Sequence, residues 1–103
     1  MYKKLSELQI KKIYIIDDID ILNVEDDTKL VISLKEFGKT CLPLRILNVL
    51  KRWNHIFTLM VSKIQEKSLA LKYYGGKYNS MKFINVINEK NKNYLQNQSF
   101  TFT

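Results

Sequence analysis

Three carboxylates crowd together at Asp17, Asp18 and Asp20, a spacing that could hold a divalent cation if a further ligand came from elsewhere in the chain. Few such ligands exist, because only Glu36, Glu66 and Glu89 lie beyond the first 28 residues. The triplet therefore reads as the solvated face of a strand, where charge discourages wrong pairing. Cys41 and His55 are the sole thiol and the sole imidazole. A helix of about 12 residues expected between them would hold them roughly 18–20 Å apart, too far for a thiol–imidazole pair. A buried cysteine and a helix-end histidine are expected instead. One cysteine excludes an intrachain disulfide, and one histidine leaves no zinc ligand set within the chain. Gly75-Gly76-Lys77 lacks the longer glycine frame and the Ser/Thr of a phosphate-binding loop, and Tyr78-Asn79-Ser80 leads on into strand-like sequence, so a hairpin turn is expected there. No catalytic residue, metal site or cofactor site follows from these groups, and the chain is expected not to be an enzyme.

The stretch that does suggest chemistry is Lys72-Tyr73-Tyr74-Gly75-Gly76-Lys77-Tyr78-Asn79-Ser80-Met81-Lys82, three lysines and three tyrosines interleaved around two glycines. Lysine neutralises phosphate, tyrosine stacks on exposed bases, and glycine lets backbone approach closely. The ordinary alternative is a hairpin tip whose tyrosines pack on their own sheet. Charge along the chain favours a polyanion. Residues 1–28 carry four lysines against seven acids, a balance of −3, whereas residues 29–103 carry thirteen lysines and arginines against three acids, a balance of +10. A block so basic attracts nucleic acid. The excess of Lys, Asn, Ile, Tyr and Phe also matches A/T-rich codons, which inflates lysine content for reasons of origin and points to an organelle genome.

At 103 residues with 46% hydrophobic content, the chain suits one small domain with a modest core. No apolar run is long enough to span a bilayer. Lys12–Ile16 has strand composition, and Asp17–Ile21 alternates and could extend it. Glu25-Asp26-Asp27 is a turn or linker, so residues 1–28 are expected to form an acidic arm, residues 29–92 a basic body and residues 93–103 a tail. Lys29–Phe37 is the clearest strand, with Leu30, Ile32 and Leu34 on one side. Pro43 suits the first turn of a helix in which Ile46, Leu50 and Trp53 recur at i, i+4 and i+7. Ile56–Val61, Ser68–Tyr74 and Met81–Ile87 read as strands, and Ser99–Thr103 as a terminal edge strand. The expected fold is α+β: a small open sheet under one main covering helix, ferredoxin-like in part, with a long protruding β-ribbon.

This order resembles the small-subunit ribosomal protein ten family over about residues 29–92. Leu34-Lys35-Glu36-Phe37 is similar to the end of that family's first strand. The Pro43–Trp53 segment matches its helix, and Lys63-Ile64-Gln65-Glu66-Lys67 with Leu69–Lys72, Tyr73–Lys82 and Phe83–Ile87 looks like its ribbon. The proline-rich signature expected before the ribbon is absent, since Thr58–Ser62 contains none. The resemblance implies a structural protein in the head of the small ribosomal subunit, touching ribosomal RNA and neighbouring ribosomal proteins, without cofactor or small-molecule substrate. The expected RNA contacts are Lys63, Lys67, Lys72, Tyr73, Tyr74, Lys77, Tyr78, Asn79 and Lys82. The N-terminus lacks transit-peptide character, so a mitochondrial protein encoded in the organelle is expected. The alternative is an accessory subunit of an organellar respiratory complex, held by protein contacts rather than by membrane insertion. The acidic arm, which repels phosphate, is expected to face protein or solvent and to be dispensable for RNA binding.

Overall fold

A computed structural model describes residues 2–86 and the backbone of residues 94–102. The chain is α+β, an open antiparallel sheet with two helices on one face. Its strands are β1 (Ile13–Val24), β2 (Asp27–Leu34), β3 (Gly38–Cys41), β4 (Leu69–Gly75), β5 (Ser80–Val86) and β6 (Tyr94–Phe102), and its helices are α1 (Leu44–Arg52) and α2 (Asn54–Gln65). They lie in the order β3-β2-β1-β4-β5-β6. Two meanders therefore flank a helical connection, and β1 joins them by pairing antiparallel with both β2 and β4. A ferredoxin-like chain would instead alternate as β-α-β-β-α-β; here three strands precede the first helix.

The largest difference from expectation concerns residues 1–28. They are not an arm outside the body, because β1 lies in the middle of the sheet and its Tyr14, Ile16 and Ile19 are buried in the same core as Leu30, Ile32 and Leu34 of β2. The doublet Asp17-Asp18 breaks strict alternation by one residue, and a β-bulge absorbs the break. Ile16 pairs with Leu34, but Asp18 pairs with Ser33. The bulge returns Ile19 and Ile21 to the face used by Tyr14 and Ile16, and leaves Asp18 and Asp20 exposed on the other. Without that extra residue, every side chain beyond Ile16 would change face.

Two helices, not one, cover the sheet. In α1 the buried residues are Ile46, Leu47 and Leu50, as the spacing requires. Trp53 does not complete that stripe. It caps the end of α1, stands 49% exposed and meets the ring of His55 edge-on. Ile56–Val61 is helix, not strand, being part of α2. Its β-branched and aromatic content favours a strand, yet Ile56, Met60 and Ile64 recur at i, i+4 and i+8, with Phe57 and Val61 beside them. All five pack against the main core, so burial of a helical stripe outweighs local propensity. The end of α2 is closed by a left-handed turn at Lys67 (φ 59°), with the Ser68 N–H donating to Lys63 O and the Lys67 N–H to Ile64 O, the bond pattern of a Schellman cap.

The expected hairpin at Gly75-Gly76 is formed by β4 and β5. It is not a long free ribbon, for its base is held between β1 and β6. Beyond that base the Lys11 N–H donates to Tyr73 O. The expected edge strand at the C-terminus corresponds to β6, which pairs with β5. The part of the predicted body at residues 87–92 lies outside the described residues.

Candidate nucleic-acid interface

Strand alternation divides the β4–β5 hairpin into two faces. Leu69, Leu71 and Tyr73 of β4, with Met81 and Phe83 of β5, point toward the helices and are buried in the main core. The opposite face carries Ala70, Ile84 and Val86, packed with Ile13 and Ile15 of β1. It also carries Lys72, Tyr74 and Lys82.

Lys72 and Lys82 are direct cross-strand partners. Like charges placed opposite one another cost stability, and neither has an ion pair among the described residues. Tyr74 follows on the same face, next toward the turn. The register slips between Tyr73 and Gly75, so that Tyr74 is the extra residue of a bulge, a device that re-aims a side chain. Its ring lies with Lys72 Nζ 5.7 Å and Lys82 Nζ 5.9 Å from the centroid. At the turn, Lys77 Nζ stands 5.5 Å from the centroid of Tyr78, a ring that is 63% exposed. From Ser68 to Asn88 the sequence contains no carboxylate.

The turn that presents these groups is braced. The Tyr73 O–H donates to Asn79 Oδ1 at 2.5 Å, and Arg45 Nη2 of α1 donates to Asn79 O at 2.9 Å. Gly75 and Gly76 have φ of +76° and +81°, conformations that cost a side-chain-bearing residue about 1–2 kcal/mol. A Cβ on Gly75 would lie 2.9 Å from Ile10 Cδ1, whereas one on Gly76 would meet nothing. Ile10 is half exposed, so its terminal methyl can swing aside. Gly75→Ala and Gly76→Ala are therefore each expected to lower stability by about 1–2 kcal/mol, as read by urea denaturation. A loss at Gly75 several-fold greater than at Gly76 would mean that Ile10 is fixed against the turn.

The nine expected contact residues do not form one surface. Lys72, Tyr74, Lys77, Tyr78 and Lys82 are grouped on the outer face and tip of the hairpin. Tyr73 is buried, and Asn79 accepts from Tyr73 through its Oδ1 and from Arg45 through its main-chain O, so these two shape the turn and Tyr73 offers no ring to a ligand. Lys63 and Lys67 belong to α2 and its cap, on the helical layer. Two other groups reinforce the basic end without having been expected there. Lys11 is bonded through its backbone to Tyr73 beside the hairpin, and Lys12 follows it with Nζ 5.1 Å from the Tyr14 centroid. Averaging charge over residues 1–28 hid them among the acids. Arg45 could have been suspected only as a polar residue on the helix face, since its partner lies 34 residues away.

Charge is sorted along β1. Lys11 and Lys12 precede it, Asp17, Asp18 and Asp20 lie along it, and Glu25, Asp26 and Asp27 follow at the β1–β2 turn. Because β1 and β4 are antiparallel, the acidic β1–β2 turn and the basic β4–β5 turn lie at opposite ends of β1. Among the described residues no group of three His, Cys, Asp or Glu side chains could hold a metal ion, and no helix is long and apolar enough to cross a membrane. Comparison with protein-family models, curated proteins and solved structures gives no match to this chain.

Proposed function

We propose that this chain is a non-catalytic RNA-binding protein, a structural constituent of a ribonucleoprotein particle, with the small subunit of a mitochondrial ribosome as its first expected setting. The observation that carries this reading is the β4–β5 hairpin. It presents Lys72, Lys77 and Lys82, has no carboxylate of its own, and places each of its outward tyrosines under at least one ammonium group. Phosphate contacts supply affinity that falls with salt, and aromatic rings supply contact with sugar and base. The acidic β1–β2 turn, set at the other end of β1, suits a particle in which one end meets RNA and the other meets basic protein.

Neutralising Lys72, Lys77 and Lys82 together by glutamine tests the reading. Glutamine retains much of the aliphatic stem and relieves the Lys72–Lys82 repulsion, so the fold should survive. The log–log dependence of RNA affinity on salt should flatten by about 2–3 units. Binding with the unmodified slope would remove the hairpin as the contact. In cell fractions, native protein should sediment with small ribosomal subunits. Recovery with respiratory complexes instead would favour the second reading, an accessory subunit held by protein contacts, to which the exposed Trp53 and Leu59 on the helical layer would contribute.

A further inference from the structure

Resting on that reading, we infer that the hairpin takes unpaired nucleotides rather than duplex, with Tyr78 as a stacking platform for one base. Three observations support this. First, the aromatic surface is offered outward at the tip. Tyr78 is 63% exposed with Lys77 beside it, and Tyr74 is turned to the outer face with Lys72 and Lys82 both near its ring. A tyrosine ring can stack only on a base whose face is free, and paired bases in a helix bury their faces against each other.

Second, the tip holds few groups that read base edges in a duplex. Bidentate recognition uses asparagine or glutamine for adenine and arginine or lysine for guanine, and the deep, narrow major groove of an RNA duplex keeps such side chains from the base edges. Residues 72–82 contain no arginine or glutamine. Their one asparagine, Asn79, already accepts from Tyr73 through its side chain and from Arg45 through its main chain. What remains outward is lysine and tyrosine, a combination that tracks a backbone and stacks with little regard to sequence.

Third, the turn that carries the platform is braced. The bracing of Asn79 from two sides and the burial of Tyr73 and Gly75 fix the turn before any ligand arrives, which limits the ordering cost of binding. The exposed Gly76, Lys77 and Tyr78 are left to adjust.

The test uses the full chain and two probes at one salt concentration, an unstructured oligouridylate about twelve nucleotides long and an RNA duplex of equal length. Binding is followed by fluorescence anisotropy of a label on the RNA. The single strand should bind at least about 10-fold more tightly than the duplex. Tyr78→Ala should weaken single-strand binding by about 5- to 100-fold without altering its salt slope, and Tyr78→Phe, which keeps the ring, should retain it. Because Tyr78 is largely exposed, its removal should leave the thermal melt unchanged. Duplex binding equal to or tighter than single-strand binding, or indifference to Tyr78→Ala, overturns this inference and leaves the RNA-binding reading standing. Failure of both probes to bind overturns that reading together with the inference.

Discussion

Deletion of residues 1–28 is expected to abolish cooperative folding of the remaining chain. The segment contains β1, which is hydrogen-bonded to β2 on one side and to β4 on the other. Without it the two meanders lose their junction, and two strand edges are left open to wrong pairing. The core loses Leu8, Tyr14, Ile16 and Ile19, all buried. Each such side chain contributes about 1.5–3 kcal/mol on burial, so the four together are comparable with the entire stability of a small domain, about 5–15 kcal/mol. The outcome is measured by urea or thermal denaturation followed by circular dichroism. The truncated chain should show no sigmoidal transition, and any RNA binding it shows should then be that of an unfolded polycation. A cooperative melt in the truncated chain would mean that β2 and β4 close on each other without β1. Ile16→Ala, which removes one buried side chain and leaves the ladder intact, should cost only about 2–4 kcal/mol and retain a sigmoidal melt.

That expectation reverses the one drawn from charge alone, and the reason is physical. Net charge per segment reports what a surface attracts, not whether the segment is inside. Acids and buried isoleucines alternate along β1, so an acidic sum and a central strand are compatible. The acids occupy the outer face and the bulge at Asp17, while Tyr14, Ile16 and Ile19 line the inner one. Local pattern was sufficient where a single period dominates, as in Leu30, Ile32 and Leu34 of β2, or Ile46 and Leu50 of α1. It was also sufficient for the Gly75-Gly76 turn, where backbone chemistry restricts the choice. It failed over Ile56–Val61 because five apolar residues and a threonine without a breaker satisfy strand propensity, and only extending the window to Ile64 exposes the period of four. Within the hairpin, composition identified the lysines and tyrosines but not their faces. Tyr73 and Tyr74 are neighbours of one type, and the strand sends one into the core and the other outward. The brace from Arg45 to Asn79 depends on helix and turn meeting in space, which no local pattern encodes.

Leu50→Ala is expected to cost about 2–4 kcal/mol, while Trp53→Ala should cost under about 1 kcal/mol, although Trp53 is much the larger side chain. Leu50 is 1% exposed and lies with Ile46 and Leu47 on the buried stripe of α1, which packs against β2. Truncating it removes apolar contact and leaves a cavity that helix and sheet cannot close without shifting together. Trp53 occupies the junction between α1 and α2, where about half of its surface is already in water, and its ring contact is the edge of His55. Removing it forfeits part of one exposed contact and opens no cavity in the core. For a domain of this size, each 1 kcal/mol corresponds to about 4–8 °C in Tm, so Leu50→Ala should lower the melting temperature by roughly 10–30 °C and Trp53→Ala by less than about 8 °C. Paired thermal melts decide the matter. A small shift for Leu50→Ala with a large one for Trp53→Ala would mean that α1 is rotated about its axis, with the i+7 position turned inward. A rotation of that size would also carry Arg45 away from Asn79 and remove the brace from the β4–β5 turn, so the same pair of melts bears on the hairpin as well as on the core.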